Sequence, residues 1–569
     1  MHISSIRCSS IPFHFIICRR LRSFKRWMRS QRIDFSNALE LIEEDDGISV
    51  RALCDLKEGD LVATIPKSSC LTIKTSVANE MIEEAGLDGS LGLSVALMYE
   101  KSLGCDSVWD GYLQLLPERE SVPLVWSLEE VDSFLLGTEL HKIVKEDRTL
   151  LYEDWKECIL PLIESGPLKL NPNSFGVEQY FAAKTLVTSR SFEIDDYHGY
   201  GMVPLADLFN HKTGAENVHI TSIASNSELG YDSDSDNDND NECNNIDNEE
   251  PSSEDLGTGS SDHILSHLQP STNSSNAIAG LDSLDANGVD SSLAAANDPM
   301  VLEMIVVKEV KEGDEDCAIK INEYKVQDNK LSSQIGKSLN HYDVAVAHLK
   351  VFNTYGLMGN AALLHRYGFT ELDNPFDIVN IDLNLVEQWI MSSFSNRYFR
   401  SRLSLWRRLG CTGCISQSYE YFEISSDGEP QLDLLVLLYI IFLPDEAYQK
   451  LSNITISFVE NVNKSINILL STKNSRTSLP ETPEKAKVLL LTERVRAALV
   501  SLADSRENFY GSNSLKDDMK ALSRCCRMQE KKLYHSLVLR VSERMILKKL
   551  RSYASQRGKG KNREMKLEG

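Results

Sequence analysis

Leu205-Ala-Asp-Leu-Phe-Asn-His211 is the stretch on which the reading of the fold turns. It follows a helix-patterned run, Val177–Ser191, and a short apolar passage, and it ends in a polar Asn-His pair. Taken alone, such a pair is more often a turn or a capped core histidine than part of a ligand site. Its weight depends on what precedes and follows it. Upstream, Gly47-Ile-Ser-Val-Arg-Ala-Leu53 and Leu61-Val-Ala-Thr-Ile-Pro66 are short β-rich runs joined through the polar turn Lys57-Glu-Gly-Asp60, which predicts a hairpin. Downstream, Met304-Ile-Val-Val-Lys-Glu-Val310 reads as a strand, followed later by Val351-Phe-Asn-Thr-Tyr-Gly356 and Arg366-Tyr-Gly-Phe369.

Around these runs the period changes to helical. Leu91–Glu100, Leu128–Leu136 and Leu150–Ile163 are candidate helices within an insert spanning about 91–176. After Pro375 the pattern is mostly long helices, including Lys485–Ser505 and Leu515–Leu550, with adjacent Cys525-Cys526 on the latter. At 569 residues and 42% hydrophobic content the chain can bury at least two cores. The expected class is α+β: a β-rich domain, 35–373, with a helical insert, then an all-helical domain, 374–558.

The formal net charge of -24 is concentrated rather than spread. From Thr213 to Val307 there are nineteen Asp and Glu and no Lys or Arg. Within it, 226–299 is Ser/Asn/Asp-rich with almost no aromatics and cannot offset its ordering entropy, so a disordered acidic loop is expected. Asp232, Asp234 and Asp236 alternate as in a calcium loop, but Asn237 replaces the required Gly and Cys243 the terminal Glu. The leader, 1–34, has eight basic residues from Arg7 through Arg32 and no acid before Asp34, which suits either a disordered segment or an organelle-targeting one. The tail, 559–569, is basic, as a nuclear signal or a solvated helix end would be. Gln431–Leu443 is strongly apolar but too short to span a membrane and reads as a buried helix. Twelve cysteines without a secretory signal are expected to be reduced thiols, and Cys411-Thr-Gly-Cys414 lacks a second pair to complete a zinc site, so no metal is expected.

Three of these segments, in order, resemble the SET domain: Gly47–Pro66 its opening hairpin, Asp207-Leu-Phe-Asn-His211 its Asn-His motif, and Val351–Gly356 with Arg366–Phe369 its closing tyrosine segment. Ser107-Val-Trp-Asp-Gly-Tyr112, Leu116-Pro117 and Trp126 are similar to the Rubisco large-subunit methyltransferase-like class, which includes ribosomal-protein and other non-histone lysine methyltransferases. The resemblance covers about Phe35 to Leu550 and implies that the helical domain binds substrate. It implies S-adenosylmethionine (AdoMet) as cofactor and a protein substrate presenting a lysine. It implies Tyr355 as the catalytic tyrosine. For the cofactor it implies Asn210 and His211, with Asp207, Leu208 and Phe209 lining the approach, Tyr367 at a second position, Arg190 as a carboxylate partner, and Ser49 and Arg51 at the opening strand. Ser49 stands where the family has the second glycine of Gly-x-Gly. Asp316–Lys350 has no family counterpart and reads as a surface loop or as sequence from a retained intron.

Methyl transfer to lysine needs a neutral amine, and burial beside a cation disfavours the charged one. The implied enzyme needs no nucleic acid and no membrane, works as a monomer, and belongs in the nucleus or cytoplasm, with plastid or mitochondrion as the alternative. Histidine methylation and a non-catalytic SET-fold binding module are the competing readings.

Overall fold

The computed structural model describes residues 13–44, 47–166, 170–222, 301–310, 350–392, 394–415, 419–453 and 483–555. The acidic loop at 226–299, the insertion at 316–350 except its last residue, and the tail at 559–569 lie outside them.

In chain order the helices begin with α1 (Phe13–Ser30), α2 (Asn79–Glu84), α3 (Gly89–Leu103), α4 (Asp110–Leu113), α5 (Leu128–Phe134), α6 (Glu139–Asp154), α7 (Leu160–Ser165) and α8 (Val177–Arg190). They continue with α9 (Asn360–Tyr367), α10 (Leu383–Met391), α11 (Asn396–Arg408), α12 (Leu432–Ile441), α13 (Asp445–Ser452), α14 (Pro483–Leu490), α15 (Glu493–Glu507), α16 (Leu515–Leu522) and α17 (Lys531–Ser555). Contacts divide the described chain into two compact units, with breaks after Pro117, Trp155 and Thr354. The insert is thus split, and the second unit starts again at Tyr355 rather than at Asn374.

The first unit is the β-rich one. β1 (Asp34–Phe35), β4 (Leu61–Pro66), β9 (Val301–Val306) and β8 (Val218–Ser222) form one sheet in the order β1-β4-β9-β8. β2 (Leu39–Glu44) pairs with β3 (Gly47–Ala52), and β5 (Leu71–Thr72), β7 (Gly199–Met202) and β6 (Ser191–Asp195) make a third sheet. β9 alternates half-buried and buried residues along Val-Leu-Glu-Met-Ile-Val, the period-two signature of a strand with one face on a core. The expected hairpin between Gly47–Leu53 and Leu61–Pro66 does not form. β3 pairs back onto β2, Glu44 opposite Gly47, and β4 pairs with β9, Leu61 opposite Ile305. Gly47 has φ +131, a torsion open to glycine, and this is what lets the chain reverse there.

The leader is ordered as a helix from residue 13 onward, which overturns the expectation of disorder there. α1 is amphipathic: Phe24 and Met28 are fully or nearly fully buried, while Arg19, Arg22, Arg26 and Arg29 lie on the exposed face. Its composition suggested a disordered or targeting segment because the apolar stripe is narrow and the arginines are many.

The second unit is helical in bulk, with a three-stranded sheet, β10 (Val379–Asp382), β12 (Glu420–Ile424) and β11 (Cys414–Ile415), that the helical pattern after Pro375 did not announce. α12 is buried from Leu434 through Ile441, as the apolar run required, and packs with Phe399, Trp406 and Phe422. Lys485–Ser505 divides into α14 and α15, where Thr492 caps the new N-terminus by accepting from Val495 N–H. Leu515–Leu550 divides into α16 and α17, and Cys525-Cys526 sits in the connection, not on a helix. Burial, with Asp433 near Cys411 and Glu423 near Cys414, pushes both thiols up to about 12.

Candidate functional site

In the first unit, the Asn-His turn is built on a constrained backbone. Leu205, fully buried, has φ +79 and ψ −46, close to the strained classic γ-turn, and leads into the 3₁₀ turn Ala206–Leu208. Asp207 anchors that turn. Its carboxylate is fully buried, accepting from the Tyr112 hydroxyl at 2.9 Å and from Arg190 Nη1 at 3.1 Å. Leu208 and Phe209 are also buried, so their side chains belong to the core. Asn210 is exposed and His211 buried, with His211 Nε2 and the Thr213 hydroxyl 3.2 Å apart.

A short segment from the far end of the unit meets this turn. Asn353 N–H donates to the Asn210 carbonyl at 2.9 Å, and Asn353 forms a parallel bridge with His211. Two residues earlier, Val351 N–H donates to the Val50 carbonyl on β3 at 3.0 Å, while Phe352 O accepts from Asn217 N–H at 2.8 Å. The 351–353 segment therefore ties β3 to the Asn-His turn, and β3 also lies against Ala206–Leu208. Three stretches about 140 to 300 residues apart in the chain converge here.

Comparison with known proteins agrees with that convergence. No family model matches the chain. N-lysine methyltransferase setd6 of Danio rerio is 29% identical over 213 residues, 34% of this chain and 46% of that protein. Ribosomal lysine N-methyltransferase 3 of Saccharomyces cerevisiae is 22% identical over 424 residues, 68% of each. The chain thus spans about half the length of the first relative and about two thirds of the second. A solved structure of Rubisco LSMT bound to AdoMet shares the fold, with a TM-score of 0.54 at 16% identity, covering 94% of this chain and 91% of that one. The chain thus shares the fold of Rubisco LSMT and is similar in sequence to protein lysine N-methyltransferases.

On this fold the expected residues fall into distinct groups. Asn210 and His211 sit on the turn that Asn353 holds. Ser49 lies inside β3 opposite Ile42, with no positive φ, so a side chain is tolerated where the family has glycine. Its Oγ is buried and has no hydrogen-bond partner among the described residues. Arg51 is paired across the strands with Glu40, and Arg190 already has one guanidinium nitrogen on Asp207. In the second unit, Tyr355 stacks on Tyr367, ring centroids 4.3 Å apart at 30°. Tyr367 closes α9, and burial raises its hydroxyl above the usual tyrosine range against the lowering effect of Arg366, so it stays protonated at neutral pH.

Two participants escaped the sequence reading. Tyr112 was visible only as part of the Trp109-Asp-Gly-Tyr112 signature, and its bond to Asp207 spans 95 residues. Asn353 was read only as a neighbour of Tyr355, although its backbone makes the junction.

Proposed function

We propose that this chain is an AdoMet-dependent protein methyltransferase that modifies a lysine side-chain amine on a non-histone protein. The observation that carries the reading is the junction of Val50, Asn210 and Asn353, which gathers the three SET segments on one small framework. The residues around it fit AdoMet. A buried hydroxyl at Ser49 with no partner among the described residues, an open glycine at Gly47 and an exposed amide at Asn210 suit a ligand that carries an ammonium, a carboxylate and an adenine ring.

When bound, AdoMet would supply an electrophilic methyl group on a sulfonium. Everything else falls to the protein. Asn210 and His211 would hold the cofactor through backbone and side chain, Ser49 would satisfy its hydroxyl on it, and Arg190 would bring a positive charge to the cofactor's carboxylate. Tyr355, two residues after Asn353, would orient the substrate amine through its hydroxyl, with Tyr367 fixing the plane of its ring. Orientation of this kind lowers a barrier by removing rotational freedom before the reaction. The amine must arrive uncharged, which a dry channel favours.

The substrate is a protein presenting a lysine, with ribosomal proteins as one candidate class. Nucleus or cytoplasm is the proposed compartment, supported by the burial of Phe24 and Met28, which makes α1 part of the fold. No described helix is long and apolar enough to cross a membrane. Incubation with isotope-labelled AdoMet and a hypomethylated cell extract, followed by mass spectrometry, tests the proposal. Label on lysine side chains, lost with Tyr355→Phe, is the expected result; label on histidine alone would overturn the lysine assignment.

A further inference from the structure

We propose that α1 is a positioning element for the Asn210–His211 turn, acting through Tyr112 and Asp207. The inference deepens the methyltransferase reading and rests on it. Trp27 on α1 stacks on Phe24 at 5.8 Å and on Tyr112 at 6.2 Å, and its Nε1–H donates to the Val108 carbonyl at 2.8 Å. Phe24 reaches the same tyrosine at 6.3 Å. The approach is close enough to demand glycine at position 111, where an added Cβ would meet Trp27 Cβ and Cγ at 2.4 Å.

Tyr112 is fully buried, so its ring has no room to shift independently of α1. Its hydroxyl bonds Asp207 at 2.9 Å, and Asp207 lies three residues before Asn210. Burial first, and then the Asp207 charge, hold the Tyr112 hydroxyl well above its ordinary range, so it remains a donor at any working pH. Charge-assisted bonds of this kind fix geometry more tightly than neutral ones. A rigid stack, one such bond and one short turn therefore connect α1 to the residues proposed to hold AdoMet. The arginines that make α1 resemble an address lie on its other face, so removing the helix as a leader would remove the support of the site.

Calorimetric titration of the full chain with AdoMet tests this, beside Tyr112→Phe, Trp27→Ala, Trp27→Phe and the outer-face control Arg26→Ala. Tyr112→Phe keeps the ring and loses only the bond to Asp207. It should weaken AdoMet about tenfold while its melting temperature without cofactor stays near the parent's. Trp27→Ala should weaken binding similarly, Trp27→Phe should recover most of the loss by restoring a ring on Tyr112, and Arg26→Ala should match the parent. The double variant Trp27→Ala/Tyr112→Phe should lose less than the two single losses combined, because both act along one path. If the parent binds and Tyr112→Phe binds equally well, α1 only packs and the inference fails while the functional reading stands. If the folded parent does not bind, both fail.

Discussion

A buried hydroxyl without a partner costs a folded protein about 1–3 kcal/mol, and Ser49 Oγ has none among the described residues. Its retention makes sense if a ligand satisfies it. Ser49→Ala should leave the cofactor-free protein as stable or more so, and should weaken AdoMet about tenfold; thermal melts with and without AdoMet read both effects. A fall in cofactor-free stability with unchanged AdoMet affinity would mean that the hydroxyl serves the fold. At Tyr355 the expectation is the reverse split. Tyr355→Phe keeps the stack on Tyr367 and should leave AdoMet affinity unchanged, while methyl transfer falls about 100-fold through lost orientation of the amine. Single-turnover rates on the substrate found by mass spectrometry check this.

Among the elements, α1 and α4 pack closely where Trp27 meets Gly111. Gly111→Ala would drive a methyl group into Trp27 and should cost about 1–3 kcal/mol of stability as overpacking, seen as a lower urea midpoint with an unchanged slope. Elements with strong local periods were legible: α3, α8 and α12 fall where the apolar spacing put them, whereas β9 runs over Val301–Val306 and meets the expected 304–310 strand only at its end. The Lys57–Asp60 turn misled because its local chemistry is that of a hairpin, whereas the partner of β4 is a strand about 240 residues away that no local pattern names. Breaks inside long helical patterns were missed for a similar reason. Thr492 marks a helix start only once its bond to Val495 N–H is seen. At the site, Asn210, His211 and Tyr355 were legible as motifs, but the support given by Tyr112 through Asp207 is purely tertiary and left no periodic trace.

Across the whole molecule, charge is handled by segregation. Most of the net negative charge sits in one sequence tract that lacks Lys and Arg, while the second unit buries its own charged network. Arg506 bonds Glu139 at 2.9 Å and the Gly137 carbonyl at 2.7 Å, and Tyr510 donates to Glu543 Oε2 at 2.5 Å. Burial raises the Glu543 carboxyl despite Arg506, so the fold holds this proton more tightly than the unfolded chain does. That contribution is complete below the unfolded value, about 4.3, and is lost as pH rises through the folded value. Glu543→Gln should therefore flatten the decline of stability toward alkaline pH, as urea midpoints across a pH series will show. The central claim, that the turn held by Asn353 forms an AdoMet site, is tested most directly by calorimetric titration of the parent chain against Asn210→Ala. The account predicts one AdoMet bound per chain, with affinity lost in the variant at equal thermal stability. A folded parent that takes up no AdoMet, or an Asn210→Ala protein that binds as the parent does, would contradict it.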